Sequence, residues 1–258
     1  MRVPAILAAA GMAVLGTYYF QNKRTHKTAA LICKALATAL PGVLMLYWYF
    51  CVEGKMTGNG TGSMIGNAAG NEASAIQTAF VWTLAAILCY MAADVLLECK
   101  FIVGAACFSA GHLCMIVSFL SEDGLGLLRE TERGLRPDYW IVQLFVLSTV
   151  VFILCAYEAL KKYFPHLKAK GLFIPAAAYI TVLSIMASLG AVSEIRQPGG
   201  VAAVIPALGG GCFVISDVLL GINRLGKKRS LVRGAFVLIL YYAAMYLFAM
   251  RFWGTAIL

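Results

Sequence analysis

The sequence predicts an all-α integral membrane protein, a bundle of eight transmembrane helices, and three observations carry that prediction. The 258 residues are 61% hydrophobic, with a mean hydropathy of +0.82. Charged residues make up only 13%, about half of what a soluble domain uses to coat its surface. The apolar residues also gather into eight blocks, at 4–20, 30–51, 76–98, 101–120, 139–160, 171–193, 200–222 and 232–256. Each approaches the ~20 residues a spanning helix needs. No stretch between them is long enough for a soluble domain, so 1–258 reads as a single transmembrane domain.

The first block carries Arg2, an apolar run and the small residues Ala8 to Ala10, so it admits a second reading as a cleaved signal peptide. Its apolar run continues to Phe20, which favours a retained span. The joining segments are short and polar except 52–74 and 121–138; the first is rich in Gly, Asn, Ser and Thr and reads as a flexible loop. The eight cysteines, Cys33, Cys51, Cys89, Cys99, Cys107, Cys114, Cys155 and Cys212, lie in or at the ends of apolar blocks. They read as small buried hydrophobes and not as a disulfide framework.

The net charge of +9 sits in loops between apolar blocks, which suits anionic headgroups and topology control and argues against nucleic acid as a partner. With eight spans, both termini share one side. The loops on the other side, 21–29, 99–100, 161–170 and 223–231, hold most of the lysines and arginines. The positive-inside rule makes that side cytoplasmic and both termini exoplasmic. The sequon Asn59-Gly60-Thr61 falls on the exoplasmic side. The membrane is read as a bacterial cytoplasmic membrane or a eukaryotic endomembrane.

The third and seventh blocks end alike, in Ala93-Asp94-Val95-Leu96-Leu97 and Ser216-Asp217-Val218-Leu219-Leu220. Four helices separate them, so both run in one direction, and the echo suggests a four-plus-four duplication with parallel halves.

Charges inside a spanning helix are costly, about 2.5–3.5 kcal/mol at the centre on insertion scales, and normally face a bundle interior. The residues in question are Lys34, Asp94, Glu98, Glu158, Asp217 and Arg224, all in the cytoplasmic half of the expected topology, with His112, Tyr241 and Tyr242 near mid-helix. Bland readings stand beside functional ones. Lys34, Glu98, Glu158 and Arg224 can snorkel from helix ends, His112 can bridge helices, and the tyrosines can simply pack. Asp94 and Asp217 are too short to snorkel far; they read as a functional pair or as structural salt bridges to Lys34 or Arg224.

Several chemistries drop out. Three histidines, His26, His112 and His166, two of them in loops, cannot assemble an intramembrane tris-histidine zinc site. No Gly-x-Ser-x-Gly elbow appears, and Gly209 to Gly211 lack the Lys-Ser/Thr of a phosphate loop, so they read as close helix packing. Carboxylate acid/base chemistry remains, with two acids in a dry crevice sharing one proton.

These motifs, in order, resemble the YhhN-like family of eight-helix membrane proteins, whose characterised members are lysoplasmalogenases. The matching pieces are Lys34, Asp94-Val95-Leu96-Leu97, Gly111-His112-Leu113-Cys114, Phe213-Val214-Ile215-Ser216-Asp217 with Asn223-Arg224, and Tyr241-Tyr242-Ala243-Ala244. The chain departs from the family at Ala93, where Gly is frequent, at Ala35, where Pro is, at Met115, where an aromatic is common, and at Met245, where glutamine is usual. The last departure removes a hydrogen-bonding side chain from the expected pocket.

The resemblance implies hydrolysis of the vinyl ether bond of a lysoplasmalogen, a lysophospholipid substrate drawn from the bilayer, to a fatty aldehyde and a glycerophospho-base, with no metal and no cofactor. In this reading Asp94 and Asp217 share the acid and base roles, and His112 and Tyr241 orient water or tune the acid. Lys34 and Arg224 hold the phosphate, and Ser216, Tyr242 and Glu98 line the substrate site. Two other functions fit paired intramembrane acids: a proton-coupled transporter of a small molecule or lipid, and a non-catalytic lipid binder.

Overall fold

Hydrocarbon offers no hydrogen-bond partner to a bare peptide group, so a chain this apolar must close its backbone bonds within each span. The computed structural model describes residues 2–53, 68–122, 128–131, 134–137, 139–196, 201–226 and 229–257. It contains eight helices long and apolar enough to cross a membrane. In chain order these are α1 (Arg2–Asn22), α2 (Lys27–Trp48), α3 (Ala68–Cys99), α4 (Phe101–Glu122), α5 (Tyr139–Leu160), α6 (Phe173–Arg196), α7 (Val201–Leu225) and α8 (Leu231–Ile257). The expected blocks and these helices coincide to within a few residues, except at the start of α3.

That helix begins at Ala68, so residues 68–74, read from composition as loop, are helical. Ala68, Ala69, Glu72 and Ala73 favour helix locally, which the Gly and Asn count of the whole segment obscured. The remainder of that loop from 54 to 67, with its sequon, lies outside the described residues. The second long loop carries a small antiparallel hairpin, β1 (Leu128–Thr131) with β2 (Gly134–Pro137), in which Arg129 faces Arg136. A π-helical turn, Tyr49–Glu53, finishes α2.

The helices gather into two compact units. The first spans Met1–Leu125 and Met245–Leu258 and comprises α1 to α4 with the end of α8; the second, Gly126–Ala244, comprises the hairpin, α5 to α7 and the start of α8. In the first, α2 packs on α1 and on α3, and α3 packs on α4. In the second, α6 packs on α5 and α7.

Lipid tails are as apolar as leucine, so helices associate through close backbone approach and polar contacts and not through the hydrophobic effect. Glycines mark the approaches. A Cβ on Gly11 of α1 would stand 2.8 Å from Leu40 of α2, and one on Gly210 of α7 would stand 2.9 Å from the Ala187 Cα of α6. Its neighbour Gly211 faces nothing within 4 Å, so of that glycine cluster Gly210 is the packing residue. Three hydroxyls are satisfied within their own helices: Thr17, Thr149 and Thr181 each donate to the carbonyl one turn back, which removes an unpaired donor from lipid.

All eight cysteines are free. The expectation that they would be buried needs correction: Cys51, Cys99 and Cys155 are exposed and the other five half-buried. An apolar thiol costs little against lipid, so a spanning helix has no reason to turn it inward.

Gly210→Leu should lower the stability of the purified protein by about 1–3 kcal/mol, the usual cost of overpacking, whereas Gly211→Ala should change it little. Unfolding midpoints in detergent compare the two; equal midpoints would refute the close α6–α7 contact.

Candidate functional site

The first unit builds its polar interior from three helices. Lys34 and Thr38 lie one turn apart on α2, so both reach the same side of α3. There stands Asp94, 1% exposed. Its Oδ1 is 3.0 Å from the Lys34 ammonium, and its Oδ2 accepts a 2.5 Å hydrogen bond from the Thr38 hydroxyl. Lys34 Nζ also lies 3.5 Å from the Asp94 carbonyl. Both carboxylate oxygens are thus claimed, one by a cation and one by a neutral donor, which fixes the side chain in one orientation.

From α1, the Tyr19 ring stands 5.4 Å from Lys34 Nζ, and the Tyr19 hydroxyl donates to Glu98 Oε1 at 3.1 Å. Glu98 follows Asp94 by one turn of α3, so the cluster runs along a single helix face. The geometry gives Lys34 a different place from the one expected. It is 8% exposed and its ammonium lies on Asp94, not at the surface where a phosphate was expected. A lysine in hydrocarbon needs a carboxylate more than it needs water at the end of its stem.

His112 is fully buried on α4, with Nδ1 2.9 Å from the Tyr90 hydroxyl and its ring packed against Tyr90 and Phe108. Tyr90 precedes Asp94 by one turn of α3. Gly111 makes the pairing possible, because a side chain there would occupy the space of the Tyr90 ring.

A second buried cation, Arg251, stands at the far end of α8 within the same unit, 5% exposed. Its guanidinium lies 4.6 Å and 4.7 Å from the Phe119 and Phe252 rings, and it donates to Thr83 and to Ser118. Arg251 falls near the end of the last apolar block, 232–256. The apolar window around it concealed that it turns inward.

In the second unit Asp217 of α7 is half-buried and accepts a hydrogen bond from the Tyr179 hydroxyl of α6. Ser216, expected to meet substrate, donates instead to the Val237 carbonyl of α8 at 2.9 Å and ties α7 to α8. Tyr241 packs edge-on against Phe213, with ring centroids 5.5 Å apart, and beside Tyr242 at 5.5 Å. Arg224 is half-buried in the last turn of α7. Next to it, Asn223 accepts from the Ser230 backbone, and Ser230 accepts from the Arg233 backbone at the start of α8. Glu158 pairs with Lys161 at the exposed end of α5, so this acid belongs to a helix terminus.

Asp94 and Asp217, the two echoed acids, therefore sit on the third helix of each run of four, one in each unit, and each accepts from a hydroxyl on the preceding helix. Three residues of these clusters escaped the sequence. Thr38 had a usable signal, a hydroxyl one turn from a membrane lysine. Tyr19 and Tyr179 had none, since an aromatic in a spanning helix ordinarily packs. Among the described residues no three His, Cys, Asp or Glu side chains converge as a metal site.

Lys34→Met should destabilise the protein by about 3–5 kcal/mol, because Asp94 is left as a buried charge without its counter-ion. Combining it with Asp94→Leu should recover most of that loss. Denaturation of both variants in one detergent measures it, and additive losses in the double variant would exclude the ion pair.

Comparison with known proteins adds one finding. No curated protein and no solved structure matches the chain. The model of the YhhN family, however, matches residues 62–252, which takes in Asp94, His112, Asp217 and Tyr241 but not Tyr19, Lys34 or Thr38. With most of its length and both aspartates inside that match, the chain belongs to the YhhN family.

Proposed function

We propose that this protein is a membrane hydrolase of the lysoplasmalogenase type, cleaving the vinyl ether of a lysophospholipid. The observation that carries the reading is the ion-paired, hydrogen-bonded Asp94, a carboxylate held in one orientation inside the first unit. Family membership supports the reaction class.

A vinyl ether is cleaved by adding a proton to the carbon remote from oxygen. The oxocarbenium ion that forms is captured by water at the carbon attached to oxygen. The resulting hemiacetal loses the glycerol oxygen as an alcohol and leaves an aldehyde. One water is consumed, and no electron changes hands. The pathway needs a proton donor and an anion that stabilises the cation and takes a proton from the water, the division of labour of paired carboxyls in glycoside hydrolysis.

Lys34 fits Asp94 for the anionic role, since a carboxylate in an ion pair is a base and a charge stabiliser, not a donor. Asp217, whose Oδ2 accepts from the Tyr179 hydroxyl, takes the other part of the acid/base pair. Lys34 then acts as the counter-ion of Asp94. The phosphate is met by the remaining cation of the sequence assignment, Arg224, at the end of α7, where charge is cheaper. Within the first unit, His112 on Tyr90 and Glu98 on Tyr19 extend the polar face of α3 around Asp94; within the second, Tyr241 and Tyr242 pack beside Phe213 on α7.

Asp94→Asn and Asp217→Asn should each lower aldehyde release from a lysoplasmalogen by about 10²–10⁴-fold, the usual weight of acid/base groups. Each variant should keep a single peak in size-exclusion chromatography. Wild-type turnover by either folded variant would rule out its part in the mechanism, and activity lost to a chelator would overturn the metal-free reading.

A further inference from the structure

The connector between α5 and α6 is built in a way the proposed reaction does not use. Lys161–Tyr163 form a 3-10 turn and Phe164–Ala169 a short helix, and Gly171, at φ 66°, turns the chain into α6. One side of this segment is apolar and tied down. Leu167 is buried, and the Phe164 ring lies 5.1 Å from Tyr157 of α5 and 5.3 Å from Phe173 of α6, so the connector folds across both helix ends.

The opposite side is basic: Lys162, His166, Lys168 and Lys170 are all exposed. Two of these lysines lie along aromatic rings, Lys162 Nζ 5.0 Å from the Tyr163 centroid and Lys168 Nζ 5.1 Å from that of Phe173. A lysine so laid at the end of a spanning helix keeps its stem in the apolar layer and its ammonium at headgroup depth. Lys161 differs, being paired with Glu158.

The α7–α8 turn comes to the same place. A Cβ on Gly226 would stand 3.4 Å from the Tyr163 hydroxyl, and the exposed Arg229 follows in that turn. Neither connector, 161–172 or 226–230, contains an acidic residue. Beside the connector, Leu154 and Tyr157, about one turn apart near the end of α5, and Ile174 at the start of α6 are exposed apolar side chains.

We propose that this collar is a docking site for an anionic phospholipid of the leaflet it faces. The phosphodiester would lie among the Lys162, Lys168 and Lys170 ammoniums, and the acyl chains along Leu154, Tyr157 and Ile174. A soluble anion would use the charges but not these apolar side chains, and a zwitterionic lipid would use the apolar side chains but bring its own cation to the lysines.

The test is native mass spectrometry of the delipidated full chain in neutral detergent, titrated with phosphatidylglycerol and with phosphatidylcholine of matched chains. Phosphatidylglycerol should be retained roughly tenfold more strongly, and K162Q/K168Q/K170Q should remove roughly tenfold or more of that binding. The corresponding lysine-to-arginine triple should preserve it, as should the charge-matched K23Q/R24Q/K27Q in the first unit. Should K162Q/K168Q/K170Q fail to fold, Lys168→Gln alone should still give a measurable loss. Equal retention of the two lipids, equal loss in both glutamine triples, or displacement of phosphatidylglycerol by millimolar inorganic phosphate would each overturn the proposal.

Discussion

A full charge in hydrocarbon costs about 2.5–3.5 kcal/mol on insertion scales, and the first unit carries two on neighbouring helices. Lys34 and Asp94 can stay there only because they meet at 3.0 Å and because Thr38 occupies the second carboxylate oxygen. That condition constrains everything near it. Helix α2 must present Lys34 and Thr38 on one face, α3 must turn Asp94 toward them, and α1 must approach closely enough for Tyr19 to reach both Lys34 and Glu98. An apolar pair of similar volume is often as stabilising as a buried ion pair. Stability alone therefore gives no reason to keep these charges.

The supporting packing follows from the same solvent. With lipid on the outside, helices gain little by hiding leucine, so contacts form where backbones come close and where polar atoms find one another. Gly11 against Leu40 and Gly210 against Ala187 are of the first kind. Tyr90 with His112, and Arg251 with Thr83 and Ser118, are of the second. The lone large ring that Gly111 admits is hydrogen-bonded as well as packed, so removing either partner leaves the other buried without its bond.

The echoed Asp-Val-Leu-Leu segments gain meaning from their surroundings. Each aspartate accepts from a hydroxyl on the helix before it, but the hydroxyls are a threonine in one unit and a tyrosine in the other, and Asp94 is ion-paired with Lys34. Identical acids in unlike settings are what separates a base from an acid in carboxylate catalysis.

Much of this was legible in the chain itself. Eight spans could be read because a bilayer fixes both the length and the polarity of what crosses it, and the acids stood out because aspartate in a spanning helix has few harmless explanations. The order of motifs pointed to the family through residues such as His112 and Asp217. What the chain could not reveal was partnership. That Lys34 turns inward to Asp94, that Ser216 serves the Val237 carbonyl, and that Arg251 lies between two rings are matters of which helix faces which. Composition and periodicity determine that a segment crosses the membrane and how deep a residue lies. The rotation of each helix about its axis is decided by neighbours far away in sequence, because in lipid it is set by individual contacts and not by a general tendency to hide apolar surface.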